Sequence, residues 1–281
     1  MLTNISDSSP SLIEIQQNIL QNFYALHQFC ESNNIRYYII GGTLIGAVRH
    51  EGFIPWDDDI DIGIPRPDYD RLLELADKFC DQTNGRYKIC HTGNDEGYFY
   101  QFAKSYDTQT TVTENFINEF TRGLWVDIFP LDATFTTPFL RKMHFNIIRR
   151  LIILCAIKSG GFPVPKNFIK RKFKWLIHKF IPVSSAMLNS LITMILKIKK
   201  IGNANYMGNF VGAWGYKEIC RKHLFDESIK LKFETFKVNA PAGYDEYLKG
   251  IYGDYMTPPP PNKRYSHHAI LRIDLSPYIH E

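Results

Sequence analysis

Cysteine is scarce in this chain and badly placed for bridging. The five cysteines (Cys30, Cys80, Cys90, Cys155 and Cys220) are odd in number, far apart and without a C-x-x-C spacing. Neither a disulfide framework nor a structural zinc site is indicated, and a reducing compartment fits best. The opening stretch, MLTNISDSSPSLIEIQQ, has no basic start followed by an apolar run, which speaks against a secretory signal. No uninterrupted apolar stretch approaches the ~20 residues of a membrane span, so a cytoplasmic protein is expected. Internal repeats are missing, as are the Rossmann and P-loop glycine patterns. One absence is local: from Arg141 to Lys200 there is no Asp or Glu, against 14 Lys and Arg. With a net charge of +4 overall, the remainder carries 19 basic against 29 acidic residues, or −10. Two electrostatically different parts share one chain.

What is present describes a globular protein. A length of 281 residues allows one sizeable core, or one domain with a substantial insert. A 44% hydrophobic and 22% charged composition removes disorder as the default, and 14% aromatics is a mild surplus. Leu12, Ile15, Ile19, Phe23, Leu26 and Phe29 recur every three or four residues and predict an amphipathic helix over 11–33, with Ser9 or Ser11 as cap. "RYYII" (36–40) predicts a strand that stops at Gly41-Gly42, before a short helix over 43–50. Pro55 makes "EGFIPW" a loop that delivers a run of acids to a second strand over 59–64. A helix over 67–80 and strands over 87–91, 98–104 and 124–129 follow. From about Thr137 the pattern changes to long helical stretches over 139–159, 166–181 and 184–200. After Gly202 the composition is mixed again, and "MTPPPPNKRYSHH" ends as a proline spacer leading to a basic, histidine-bearing segment.

The acids are the chemical centre of the sequence. Asp57, Asp58, Asp59 and Asp61 crowd into five positions, a cluster that cannot enter a folded core without a counter-charge. An isolated run of three aspartates is ordinarily a solvated loop, but here the run continues into a strand. Side chains alternate along a strand, so Asp59 and Asp61 share one face and Ile60, Ile62 and Ile64 share the other. Two carboxylates roughly 7 Å apart at Cα can close around one hard cation, Mg²⁺ or Mn²⁺. "WVDIF" (125–129) repeats the arrangement, with Asp127 on the face of Trp125, so a third carboxylate can join from a neighbouring strand. A glycine turn opening a helix offers unpaired N–H groups to an anion, and metal beside phosphate suggests a nucleotide or another diphosphate.

The order of a Gly-Gly-Thr turn, Asp-x-Asp and a later hydrophobic-Asp-hydrophobic strand resembles the nucleotidyltransferase superfamily. More closely, "GGTLIGAVRHEGFIPWDDDIDIGIPRPDYDRLL", "AKSYDTQTT", "GLWVDIFPLD" and "YDEYLKGIYGDYMTPPPPNKRYSHH" resemble the LicD family of phosphocholine transferases, whose relatives include fukutin. The likeness covers roughly residues 10–135 and 240–270 and leaves out the basic insert. It implies an α/β (α+β) fold with a nucleotidyltransferase-like mixed sheet flanked by helices, a CDP-linked donor, a divalent metal and a glycan acceptor. On the superfamily pattern, Asp59 and Asp61 would hold Mg²⁺ against the donor diphosphate. Asp127 would bind metal or take the acceptor's proton, with Asp57 and Asp58 behind them.

Gly42, Thr43, Arg49, Lys104, Arg264, His267 and His268 are the candidates for donor binding, His50 and Lys263 lying beside them. A quaternary ammonium is best held over aromatic faces, which nominates Trp125 first, then Trp56, Tyr98 and Tyr100. The expected activity is transfer of phosphocholine from CDP-choline to a cell-surface glycan or its lipid-linked precursor, releasing CMP. The rivals are a CDP-ribitol or CDP-glycerol donor, nucleotidyl transfer, and a silent glycan- or nucleotide-binding protein. The expected organisation is a catalytic core over 1–135, a basic helical insert over 136–201 and a C-terminal segment over 202–281 completing the site. A basic amphipathic insert suits peripheral contact with the inner face of a membrane; no nucleic-acid motif is present.

Overall fold

A computed structural model describes residues 10–116, 120–161, 182–264 and 270–275, together with Lys179. Along the chain, α1 (Leu12–Ser32) is followed by β1 (Tyr38–Ile39), α2 (Gly41–His50), β2 (Asp61–Pro65), α3 (Arg66–Glu74) and α4 (Ala76–Gln82). Next come β3 (Tyr87–Cys90), β4 (Ala103–Asp107), β5 (Thr111–Glu114), β6 (Phe120–Arg122) and β7 (Trp125–Thr134). The helices α5 (Pro138–Ser159) and α6 (Ser185–Leu196) precede β8 (Tyr206–Asn209), β9 (Ile219–Arg221), β10 (Ser228–Phe233), β11 (Phe236–Pro241), α7 (Tyr244–Tyr252) and β12 (Ile270–Asp274). This is an α/β fold built on a mixed sheet in the order β1-β2-β7-β4-β3, with β8 added to β7 and β9 to β8. Within it β2 and β7 run parallel and every other pairing is antiparallel.

The first helix follows its sequence signals. Ser11 Oγ accepts from the Glu14 N–H at 3.3 Å while the Glu14 carboxylate accepts from the Ser11 N–H at 2.8 Å, a reciprocal cap. Its buried face, including Ile15, Ile19, Phe23 and Leu26, packs on β4 and β7.

The centre of the sheet is β7, all ten residues of which are buried. Proline at 130 argues for ending this strand at Phe129, yet it continues to Thr134. The Asp127 N–H points towards β2, donating to Ile60 O at 2.9 Å. Alternation therefore aims the N–H groups of residues 128 and 130 at the opposite edge. There β4 ends its pairing at Ile128 and β8 begins at Leu131, so the N–H that Pro130 lacks falls between two partners.

Three further elements differ from expectation. The strand expected over 98–104 is a loop up to Phe102, with β4 beginning at Ala103. Phe99 and Tyr100 place their rings 4.5 Å apart, whereas successive strand residues point to opposite faces; aromatic clustering overrides β propensity. The helix expected over 67–80 divides into α3 and α4 at Leu75, whose φ of −98° and ψ of 9° leave helical geometry for one residue. The stretch over 184–200 is helical only through Leu196, and Ser184 caps it by accepting from the Met187 N–H. The helix expected over 166–181 lies outside the described residues, apart from Lys179.

Two apolar cores result. The main one joins α1, the sheet, the β10–β11 hairpin and α7. A smaller one is formed by Phe145, Ile148 and Cys155 of α5 with Leu188, Ile192 and Leu196 of α6, closed by Phe210.

Candidate active site

The register of the two parallel strands positions the acids. Asp61 of β2 lies directly beside Asp127 of β7, so their side chains leave the same face of the sheet. Asp59 precedes β2, which begins at Asp61 rather than at Asp59. The segment remains extended enough for Ile60 O to take the Asp127 N–H, and Ile60 stays in the core. One carboxylate oxygen from each of Asp59, Asp61 and Asp127 lies within 4.8 Å of the others.

The glycine turn fixes this geometry from below. The helix α2 begins at Gly41, earlier than the sequence suggests, and the turn into it passes through Gly41 at a φ of 57°, which costs glycine nothing. A Cβ at Gly41 would sit 3.0 Å from Asp61 Oδ2, and one at Gly42 would sit 2.8 Å from Asp57 Oδ2. Acids thus pack against the first turn of a helix, where its dipole favours negative charge. Thr43 is buried, and its Oγ1 accepts the Asp61 N–H at 2.8 Å, which locks the start of β2 to α2. Burial, followed by the nearby carboxylates of Asp59, Asp127, Asp57 and Glu218, pushes the Asp61 carboxyl well above its ordinary range. Such a field is relieved by a cation.

A cleft of about 690 Å³ opens over the three acids. Its lining comes from two parts of the chain: Gly42, Arg49, Trp56 and Asp57 beside the acids in sequence, and Asn209, Trp214, Glu218, Tyr252, Tyr255 and Lys263 from beyond β7.

Residues 34–149 match the family profile described as LicD/FKTN/FKRP, nucleotidyltransferase domain. Over 270 residues the chain is 33% identical to the lipopolysaccharide cholinephosphotransferase LicD of Haemophilus influenzae, covering 89% of this chain and 92% of that protein. The chain belongs to the LicD family. It is accordingly a transferase. A shorter likeness, 51% identity over 53 residues, is to an uncharacterized Rickettsia prowazekii protein, RP689, covering 19% of this chain and 20% of that one. Human ribitol 5-phosphate transferase FKRP is 53% identical over 45 residues, 16% of this chain and 9% of that protein.

The other nominated residues of this LicD-family chain fall into two groups. Gly42, Arg49 and Trp56 line the cleft with the acids. Arg49 Nη1 donates to Tyr255 O at 3.0 Å, and burial together with nearby Arg264 lowers the pKa of its guanidinium. The Arg264 guanidinium lies 5.0 Å from the centre of the Trp56 ring. His267 and His268 lie outside the described residues.

Lys104, Trp125, Tyr98 and Tyr100 do not line the cleft; they stand behind Asp127. Lys104 Nζ is 2.7 Å from Asp127 Oδ1, an ionic contact without hydrogen-bond geometry. The same ammonium sits 4.0 Å from the Trp125 ring centre, 4.5 Å from that of Tyr100 and 5.4 Å from that of Phe102. Two of the four aromatics anticipated for a ligand cation, Trp125 and Tyr100, therefore face a lysine of the chain itself. Tyr98 donates to Phe102 O at 2.9 Å and Tyr100 to Glu114 Oε1 at 2.6 Å, so both hydroxyls serve the loop.

Sequence reasoning missed the loop following β8. Trp214 is half exposed at the cleft, with its ring 4.7 Å from that of Tyr252 at 72°. Glu218 is buried beneath it and accepts the Trp214 N–H at 2.8 Å. Burial raises the Glu218 carboxyl to about 7 against the lowering effect of these hydrogen bonds. A glycine-rich loop carrying a tryptophan, "GNFVGAWGYKE", was the only available signal.

Proposed function

We propose that this chain transfers phosphocholine from CDP-choline to a hydroxyl group of a cell-surface glycan or its lipid-linked precursor, releasing CMP. The observation that carries the reading is the meeting of Asp59, Asp61 and Asp127 in a cleft of a LicD-family chain. Choline is preferred over ribitol because the likeness to the Haemophilus influenzae cholinephosphotransferase runs along 89% of the chain, that to FKRP along 16%.

A divalent cation fits the three acids. They supply hard oxygen donors within 4.8 Å of one another, as suits Mg²⁺ or Mn²⁺, and Lys104 Nζ, 2.7 Å from Asp127 Oδ1, offsets part of that carboxylate's charge. When bound, such an ion supplies positive charge to the diphosphate oxygens and the departing CMP. Arg49 and Lys263, both lining the cleft, balance the remaining phosphate charge. The acceptor hydroxyl oxygen bonds to the phosphorus that carries choline, the bond from that phosphorus to the CMP oxygen breaks, and CMP leaves with the electron pair. The hydroxyl proton passes to a carboxylate of the cluster as the new bond forms. Trp214 and Tyr252 offer the trimethylammonium group aromatic faces at the cleft mouth.

The test is CMP release from CDP-choline, CDP-ribitol and CDP-glycerol, with and without EDTA, and mass spectrometry of the acceptor. The reading expects a phosphocholine adduct that EDTA abolishes. CMP released only from CDP-ribitol or CDP-glycerol, or pyrophosphate in place of CMP, defeats it.

A further inference from the structure

The insert helices are apolar on more than the side that forms their core. On α5, Phe139, Met143, Ile147 and Ile153 are exposed at spacings of four, four and six, with exposed Arg150 falling between the last two. On α6 and just beyond it, Met187, Leu191, Met194 and Ile198 are exposed at spacings of four, three and four. Each set follows one face of a helix. The residues that join the two helices, such as Ile148 and Cys155 with Leu188 and Ile192, occupy other positions. Elsewhere among the described residues only five large hydrophobic side chains are this exposed, and they are scattered. A row of exposed apolar side chains along each of two neighbouring helices marks a docking face.

We infer that α5 and α6 dock on an anionic phospholipid surface. Charge selects this occupant. The stretch from Arg141 to Lys200 carries 14 basic and no acidic residues, so a second copy of the chain would bring like charges together across a symmetric contact. Lys197 is engaged with Asp70 at 2.7 Å, while Arg150, Lys199 and Lys200 are exposed beside the apolar positions. A bilayer with anionic headgroups offers both the apolar depth and the negative charge that this face lacks. Among the described residues no helix is long and apolar enough to cross a membrane, so the contact is interfacial.

Sedimentation of the full chain with vesicles of phosphatidylcholine alone, and of phosphatidylcholine with about one-third phosphatidylglycerol, tests this directly. Partition onto the anionic vesicles is expected to be about tenfold stronger and to weaken with added salt. Replacing Phe139, Met143, Met187 and Met194 together by serine is expected to reduce it about tenfold while leaving the circular dichroism unchanged. Should that variant misfold, Arg150→Glu alone must still weaken the partition measurably. Equal binding to both vesicles, no binding at low salt, or binding unaffected by these changes overturns the inference. So does a dimer in solution that the same substitutions dissociate. The readout does not involve catalysis, so its failure is distinct from failure of the proposed activity.

Discussion

Asp61 is where the local chemistry is most opposed to stability. It packs on Gly41, gives its N–H to Thr43 and faces four other carboxylates. Such a group costs the fold stability as long as no cation offsets the crowded charge. Asp61→Asn should therefore raise the melting temperature in metal-free buffer by a few degrees, while lowering CMP release by about a thousandfold or more. A variant both less stable and fully active would contradict this, and the two measurements need only one preparation. Glu218 makes a separate prediction. The fold keeps its carboxyl protonated up to about 7, against an ordinary value of 4.5. Its contribution to stability is thus fully present below 4.5 and is lost as pH rises through 7. The loss amounts to about 3 kcal/mol. In EDTA, denaturation of Glu218→Gln should show a flatter dependence than the native chain between about pH 5 and pH 7; parallel curves would show that Glu218 is ionised throughout. At this scale the sequence was readable where charge and alternation coincide, as in Asp59-Ile60-Asp61-Ile62. It was unreadable at Glu218 and Trp214, because their importance comes from folding a distant loop over the acids, which no local spacing encodes.

Among the elements, α2 and β2 act as one unit. The Leu44 N–H donates to Ile40 O at 3.1 Å, and the Ile40 N–H donates to Asp61 O at 3.1 Å, so the helix start and the strand start share a hinge point. Gly46 lets the far end of α2 approach the loop that delivers the acids, since a Cβ there would collide with Gly52 O. Gly46→Ala should cost about 1–3 kcal/mol in chemical denaturation despite alanine's better helix propensity. A neutral or stabilising result would mean that the loop has freedom to retreat. Amphipathic α1 and the strand–glycine turn–helix passage were visible from periodicity and punctuation. The length of β7 was hidden by Pro130, whose tolerance depends on where β4 and β8 end. The loop over 98–102 was hidden because aromatic residues favour strands only when they alternate.

For the molecule as a whole, the acids come from the first half of the chain, whereas Trp214, Tyr252 and Lys263 close the cleft from its last third. The two contributions should separate kinetically. Trp214→Ala is expected to raise KM for CDP-choline about tenfold with little change in kcat; an unchanged KM would remove Trp214 from the donor site. Charge divides the chain differently, with 14 basic and no acidic residues from Arg141 to Lys200 and an excess of acids in the remainder. That asymmetry was legible from composition alone, whereas the second apolar face of α5 and α6 needed the fold to decide which face was inward. Asp59, Asp61 and Asp127 are expected to share one divalent ion, and titration of Mn²⁺ into the full chain with CDP-choline present measures that most directly. Binding that is strong in the native chain and weakened at least about a hundredfold in Asp127→Asn is the predicted result. Equal Mn²⁺ affinity in the two proteins would contradict it.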